Sequence, residues 1–185
     1  MKNLQKHWNA AVRVGICTSL LSLSVAQAGE LSLLDARLEG VYATNSVGNS
    51  SSGVLSWLPS YQVMDKLAVK GNFGVSAYAG TNDDTITIIN TGALVSYDVM
   101  DILSVELGGG AQTWLDNSTY GMGTLNVAWK PASPIFGRIN KVVAGYSYVA
   151  TDEPTSEIRV GVEFNFGTVI GGASPEAAPA ASAAK

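Results

Sequence analysis

The sequence predicts an all-β fold, an eight-stranded antiparallel up-and-down transmembrane β-barrel, from three observations. Apolar residues recur at every second position rather than every third or fourth, which is typical of strands with one apolar face. Only 14% of the residues are charged, against the roughly 25% usual for soluble domains. Aromatic residues close every second strand on the apolar face.

Residues 1–28 have the features of a secretory signal peptide. Three basic residues and the apolar stretch 14–25 precede Ala26-Gln27-Ala28, which matches an A-x-A cleavage site. The apolar stretch is shorter than the roughly 20 residues that a membrane-spanning helix needs. We expect cleavage after Ala28, which also removes His7 and Cys17, the single histidine and the single cysteine of the chain.

The remaining chain is acidic. It keeps eight basic and fifteen acidic residues, a net charge of −7, and therefore no nucleic-acid partner is expected. Its length suits one domain. Without imidazole or thiol groups, no disulfide, thiol nucleophile or histidine-based site remains.

Eight alternating segments can be marked, and two kinds of connection alternate between them. Polar loops rich in Asn, Asp, Gly and Ser follow the odd segments, whereas short turns and one longer connection, 131–140, follow the even ones. Pro59 falls inside the second segment, where it removes a ladder donor, so a bulge or interruption is expected there. The segments are 33–44, 53–63, 67–79, 85–98, 102–114, 119–130, 141–150 and 157–166.

The pattern Tyr-x-Val-Met-Asp-x-Leu-x-Val occurs at 61–69 and again at 97–105. Each copy contains an aromatic residue that ends one strand, a short turn, and the start of the next strand. Four such aromatics would lie at one rim of the barrel, as in the aromatic girdles of membrane barrels: Tyr61, Tyr97, Trp129 and Phe166.

One face of the eight segments has no charged residue, and the charges lie on the other face. A soluble barrel would place the apolar face inside and a membrane barrel would place it outside. Low charge, segment lengths near the 9–11 residues of a tilted spanning strand, and the girdle favour the membrane. The predicted interior charges are Arg37, Glu39, Lys70, Glu106, Lys130, Arg159 and Glu163.

An eight-stranded barrel is about wide enough inside for side chains to fill. Desolvated charges there need partners. If the first and last strands pair, antiparallel counting from the rim places Glu163 opposite Arg37 and Arg159 diagonal to Glu39. We interpret the interior charges as a structural network, and a gated ion path lined by the same residues is the alternative.

The pattern resembles the small OmpA/OmpX-type outer-membrane barrels: a secretory signal, eight alternating strands, short turns at one end, loops at the other, and the last strand EIRVGVEFNFG. The resemblance covers 29–167 and is architectural. The loops are shorter than in many members, and residues 168–185 follow the terminal aromatic. That Ala/Pro-rich tail is similar to the hinge of OmpA-like proteins, and we expect it to be disordered and periplasmic.

No enzymatic activity is expected. The barrel enzymes of outer membranes resemble one another in using a histidine, which the mature chain lacks. Catalytic residues, cofactors and metal ligands are therefore predicted as none. Gly108-Gly109-Gly110 lies within a strand pattern, so we interpret these glycines as leaving room for bulky neighbours and easing the twist of the strand, rather than as a phosphate loop. The loop acids Asp83, Asp84, Asp116, Asp152 and Glu153 are read as solvated, with divalent bridges to lipopolysaccharide as the alternative.

The resemblance implies a monomer in the outer membrane after signal-dependent export, with both termini periplasmic. The expected partners are outer-membrane lipids, lipopolysaccharide and the barrel-assembly machinery. The predicted role is structural, a plugged barrel that contributes to envelope integrity. A narrow channel for ions or small solutes and a soluble periplasmic lipid-binding barrel remain as alternatives.

Overall fold

The structure is a computed structural model that describes residues 30–79, 85–115, 118–166 and 169–170. The predicted signal peptide and residues 171–185 of the predicted tail lie outside these ranges. Across the described ranges, no helix is long and apolar enough to cross a membrane. The strands are β1 Leu31–Ser32, β2 Asp35–Thr44, β3 Asn49–Trp57, β4 Ser60–Met64, β5 Leu67–Ala79, β6 Thr85–Met100, β7 Leu103–Trp114, β8 Thr119–Trp129, β9 Ile139–Val149, β10 Thr155–Asn165 and β11 Val169–Ile170.

The strands form one closed antiparallel barrel with eight walls. Around the ring the order is β2, then β3 with β4, then β5, β6, β7, β8, β9 and β10, and β10 pairs with β2 to close it. Closure leaves the eight walls without an open edge, which is the condition for a sheet in hydrocarbon. The predicted fold class is confirmed.

The alternation of side chains divides the barrel into an apolar outside and a polar inside. Leu107 is 63% exposed, whereas its neighbour Glu106 is fully buried in the interior. The same contrast holds between Leu125 and Asn126 on β8, and between Val160 and Arg159 on β10. The outward direction predicted for the apolar face is confirmed.

Pro59 interrupts the second wall, as predicted, because it has no N–H for the ladder. β3 ends at Trp57 and β4 begins at Ser60. The break is stabilised from both sides: the Leu58 N–H donates to the carbonyl of Asp35 (2.8 Å), and the Gly71 N–H donates to the carbonyl of Pro59 (2.7 Å).

Three short strands continue the barrel at the end that carries the short turns, which we call the turn end. β1 pairs with β4 and with β11, so Leu31 lies between Tyr61 and Ile170. Val169 and Ile170 lie at the start of the tail for which disorder is expected, and in the structure they pair with β1. The opposite end of the barrel, where β2 is followed by β3, β5 by β6, β7 by β8 and β9 by β10, is called the loop end.

The glycine triplet lies in β7, where two backbones approach closely. A Cβ added at Gly108 would overlap the carbonyl oxygen of Ala93, and one at Gly110 would overlap that of Thr91. Both carbonyls belong to β6, which pairs with this part of β7. The inward glycines therefore allow the two strands to approach closely, and Gly108 also leaves room for the side chain of Leu94, which lies 2.7 Å from the position of an added Cβ.

Candidate functional site

The predicted girdle residues lie at the turn end. Tyr97, Trp129 and Phe166 are 45–51% exposed on the outer wall. Tyr61 lies on the same outer side but is half-buried, because Leu31 of β1 pairs with it. A second set of outward aromatics, which the sequence analysis did not single out, lies toward the loop end: Tyr42, Tyr146 and Tyr148.

Four of the predicted interior charges meet in the middle of the barrel, and we call Arg37, Lys70, Glu106 and Glu163 the central quartet. Nη2 of Arg37 donates to Oε2 of Glu106 and to Oε2 of Glu163, both at 2.6 Å. Nζ of Lys70 donates to Oε1 of Glu106 at 2.8 Å and to Oε1 of Glu163 at 2.9 Å. Each cation thus contacts both carboxylates.

These contacts cross the lumen. Arg37 is on β2 and Glu106 is on β7, which stand opposite each other in the ring of eight walls. Lys70 on β5 and Glu163 on β10 are three walls apart. The long side chains therefore span the interior, whereas the antiparallel neighbours Arg37 and Glu163 pair directly in the register expected from the sequence.

The quartet is shielded from water, with each residue at most 3% exposed. Ionised groups so placed need several partners each. Asn126 supplies one more hydrogen bond, from Nδ2 to Oε2 of Glu106 at 3.2 Å. Lys141 on β9, which the sequence analysis missed, lies 3.4 Å from Glu163 and adds a third cation beside two carboxylates.

A second group, which we call the upper triad, lies between the quartet and the loop end and consists of Glu39, Glu157 and Arg159. Arg159 donates through Nη2 to Oε2 of Glu157 at 2.6 Å and through Nη1 to Oε2 of Glu39 at 3.4 Å. Glu157 and Arg159 are on one strand, and Glu39 is on the adjacent strand. These ion pairs therefore stay on one side of the barrel.

Neutral donors connect the triad to the opposite wall. Oε1 of Glu157 accepts from the Tyr78 hydroxyl and from Nε2 of Gln112, both at 3.0 Å. The other oxygen of Glu157, Oε2, accepts from Nε and Nη2 of Arg159. Glu157 is not among the predicted interior charges, because it is the first residue of the last predicted segment, 157–166. Its sequence parity with Arg159 was the signal that could have identified it.

Lys130 lies apart from both groups, so it does not join the network predicted for it. It is the residue after β8, and its Nζ contacts Oδ2 of Asp98 at 2.5 Å, with both side chains about a quarter exposed. The two residues line a small polar cavity of about 100 Å³ at the turn-end mouth, which Lys66 and Lys141 also line.

The described residues contain no group of His, Cys, Asp and Glu that could hold a metal ion. Asp152 and Glu153 are exposed in the last loop. Ser46 donates to Oε2 of Glu153 at 3.0 Å, which links two neighbouring loops. The other predicted loop acids, Asp83, Asp84 and Asp116, lie outside the described ranges.

Comparison with protein-family models and with curated sequences gives no match. Solved structures do match. Ail, the attachment invasion locus protein of Yersinia pestis, is 14% identical with a TM-score of 0.53, over 76% of this chain and all of that one. Neisserial surface protein A is 17% identical (TM-score 0.49; 76% and 98% covered), and a de novo designed transmembrane β-barrel is 13% identical (TM-score 0.48; 73% and 98% covered).

At these identities the likeness concerns the fold alone. Ail matches over its full length, so the similarity includes the complete ring of strands and not a fragment of it. Together with the closed eight-walled topology, this confirms at the level of the fold the resemblance to the small OmpA/OmpX-type outer-membrane barrels.

Proposed function

We propose that the chain is a structural outer-membrane β-barrel protein whose interior is closed by ion pairs and which contributes to the integrity of the envelope. One observation carries the proposal: the outer wall is apolar, whereas the central quartet is buried and joined across the lumen. A soluble fold would not place Leu, Val and Ile outside and ionised groups inside. The full-length fold match to Ail supports it, since Ail is an outer membrane protein.

The interior arrangement favours a closed barrel over a channel. An ion would have to displace contacts of 2.6–2.9 Å between the quartet residues to pass. A carrier of lipid in the periplasm would need an apolar interior, and the middle of this interior is charged. The closed structural barrel is thus the function that the geometry supports best.

Conductance across planar lipid bilayers tests closure. We expect no discrete current steps from the wild-type protein. Steps that change in size in the Arg37→Ala variant, but not in the exposed turn variant Asp101→Ala, would establish the narrow channel instead.

Location and role are tested separately. The protein should require detergent for extraction, and it should migrate differently in SDS gels before and after boiling. Release by osmotic shock would contradict the membrane location. Loss of the protein should raise the entry of an apolar dye into cells, and unchanged entry would remove the role in envelope integrity while leaving the location intact.

A further inference from the structure

A cavity of about 440 Å³ opens at the loop end of the barrel interior, between the upper triad and the loop-end connections. We call it the loop-end cup. Its walls include Ala43, Tyr78, Ile88 and Trp114, and its floor includes Gln112 and Glu157. Cavities of about 300–1,000 Å³ are the usual size for small-molecule sites.

The walls of the cup are apolar and partly aromatic. Ala43, Tyr78 and Ile88 form a buried cluster, and Trp114 packs against it. These residues come from four strands, β2, β5, β6 and β7, and residues of the connections 45–48 and 150–154 also line the cup. The apolar part of a ligand would be removed from water in this cup, which favours binding.

The surroundings of the cup are negative. The upper triad has two carboxylates and one guanidinium, and Arg159 is engaged by both carboxylates. The sequence has no Lys or Arg between Arg37 and Lys66, between Lys70 and Lys130, or between Lys141 and Arg159. No basic side chain therefore comes from any loop-end connection, while Asp152 and Glu153 lie exposed in one of them.

We propose that the loop-end cup binds a small organic cation with an apolar body, of the quaternary ammonium class. The four hydrogen bonds that Glu157 accepts use the capacity of a carboxylate, so a ligand does not form a direct pair with it. A quaternary ammonium has no N–H to satisfy. It responds to the negative potential and to the aromatic side chains of Tyr78 and Trp114 that line the cup, since aromatic rings attract cations.

Three probes of one shape separate charge from shape: benzyltrimethylammonium, its neutral carbon isostere neopentylbenzene, and benzylsulfonate. Binding to the protein in zwitterionic nanodiscs is followed through the indole N–H resonance of Trp114, assigned with Trp114→Phe. Affinities are calculated from the probe concentration that is free in the aqueous phase, because the neutral isostere also partitions into the lipid. The cation should give a saturable shift, with an affinity at least about tenfold above that of the isostere and no saturable binding of the sulfonate.

Two sets of variants locate the site and its charge. Ala43→Phe fills the cup and should abolish the shift. Glu157→Gln, and independently the exposed pair Asp152→Asn with Glu153→Gln, should weaken cation binding several-fold and leave the isostere unaffected. The control Asp101→Asn removes one acid at the turn end and should leave the affinity for the cation unchanged. If Glu157→Gln does not fold, the double variant of Asp152 and Glu153 still tests the role of charge.

Equal affinity for cation and isostere would overturn the assignment of ligand class. Absence of a saturable shift with any probe, or a shift that survives Ala43→Phe, would overturn the site itself. These results are independent of conductance and of envelope integrity, so the structural role and the cup are tested apart.

Discussion

The central quartet and the upper triad are both buried, yet they are built differently. The quartet joins four strands and is balanced, with two cations and two carboxylates. The triad keeps its ion pairs on two adjacent strands, has one carboxylate in excess, and reaches the far wall only through the neutral donors Tyr78 and Gln112. The difference indicates that one group cross-links the barrel and the other forms the floor of a cavity.

The largest expected effect comes from the same substitution made in each group. Glu106→Gln leaves the quartet with two cations and one carboxylate, and we expect a loss of about 3–5 kcal/mol in the free energy of unfolding. Glu157→Gln makes the triad neutral and should cost only about 1–2 kcal/mol. Urea unfolding in lipid vesicles measures both, with exposed Glu153→Gln as the control. Equal losses would remove the distinction between the two groups.

A double-mutant cycle tests whether the quartet acts as a unit. Arg37→Met and Glu106→Met each leave a buried charge with one ion-pair partner fewer, whereas the double variant removes both charges. We expect the two losses to be non-additive by about 1–3 kcal/mol, with the double variant the more stable relative to their sum. Arg37→Met combined with Glu153→Gln is the matched control and should be additive. Additivity in the first cycle would mean that the 2.6 Å contact contributes nothing specific.

Packing around the quartet should be more sensitive than packing on the outer wall. A Cβ at Gly145 would overlap the side chain of Asn126, which donates to Glu106. We expect Gly145→Ala to cost about 1–3 kcal/mol. Gly123 has nothing within 4 Å of an added Cβ, so Gly123→Ala should change the stability by less than about 0.5 kcal/mol. A tolerated Gly145→Ala would indicate that Asn126 is not held in place.

The smallest effect is expected at Lys141. It lies 3.4 Å from Glu163 and is the cation in excess beside the balanced quartet. Lys141→Met should therefore change the unfolding free energy by less than about 1 kcal/mol, whereas Lys70→Met should cost about 3 kcal/mol or more. If the two substitutions cost the same, charge balance does not explain the quartet.

Much of the fold follows from the sequence because a strand has a period of two. Parity alone separates Leu107 from Glu106, and the missing N–H of Pro59 predicts the break in the second wall. The short strands β1 and β11 escaped notice because two residues carry no periodicity.

The interior was less predictable. Parity places a side chain inside but does not give its level or its partner, which depend on the stagger of the strands around the closed ring. Lys130 has the inward parity, yet it is found at the mouth with Asp98. Lys141 and Glu157 are the first residues of their predicted segments, so the alternation that assigns a side chain to the inside has no preceding strand residue to support it there. The loop-end cup is lined by residues of six strands, so no single stretch of sequence contains it.

The most direct test of the account asks which face meets lipid, using single-tryptophan variants in vesicles with brominated acyl chains. Ile89 is outward, and it lies one residue from the level of inward Trp114 in the β6–β7 pairing. We predict strong quenching of a tryptophan introduced by Ile89→Trp and little quenching of Trp114. Equal quenching of the two, or stronger quenching of Trp114, would contradict an apolar exterior around a charged interior.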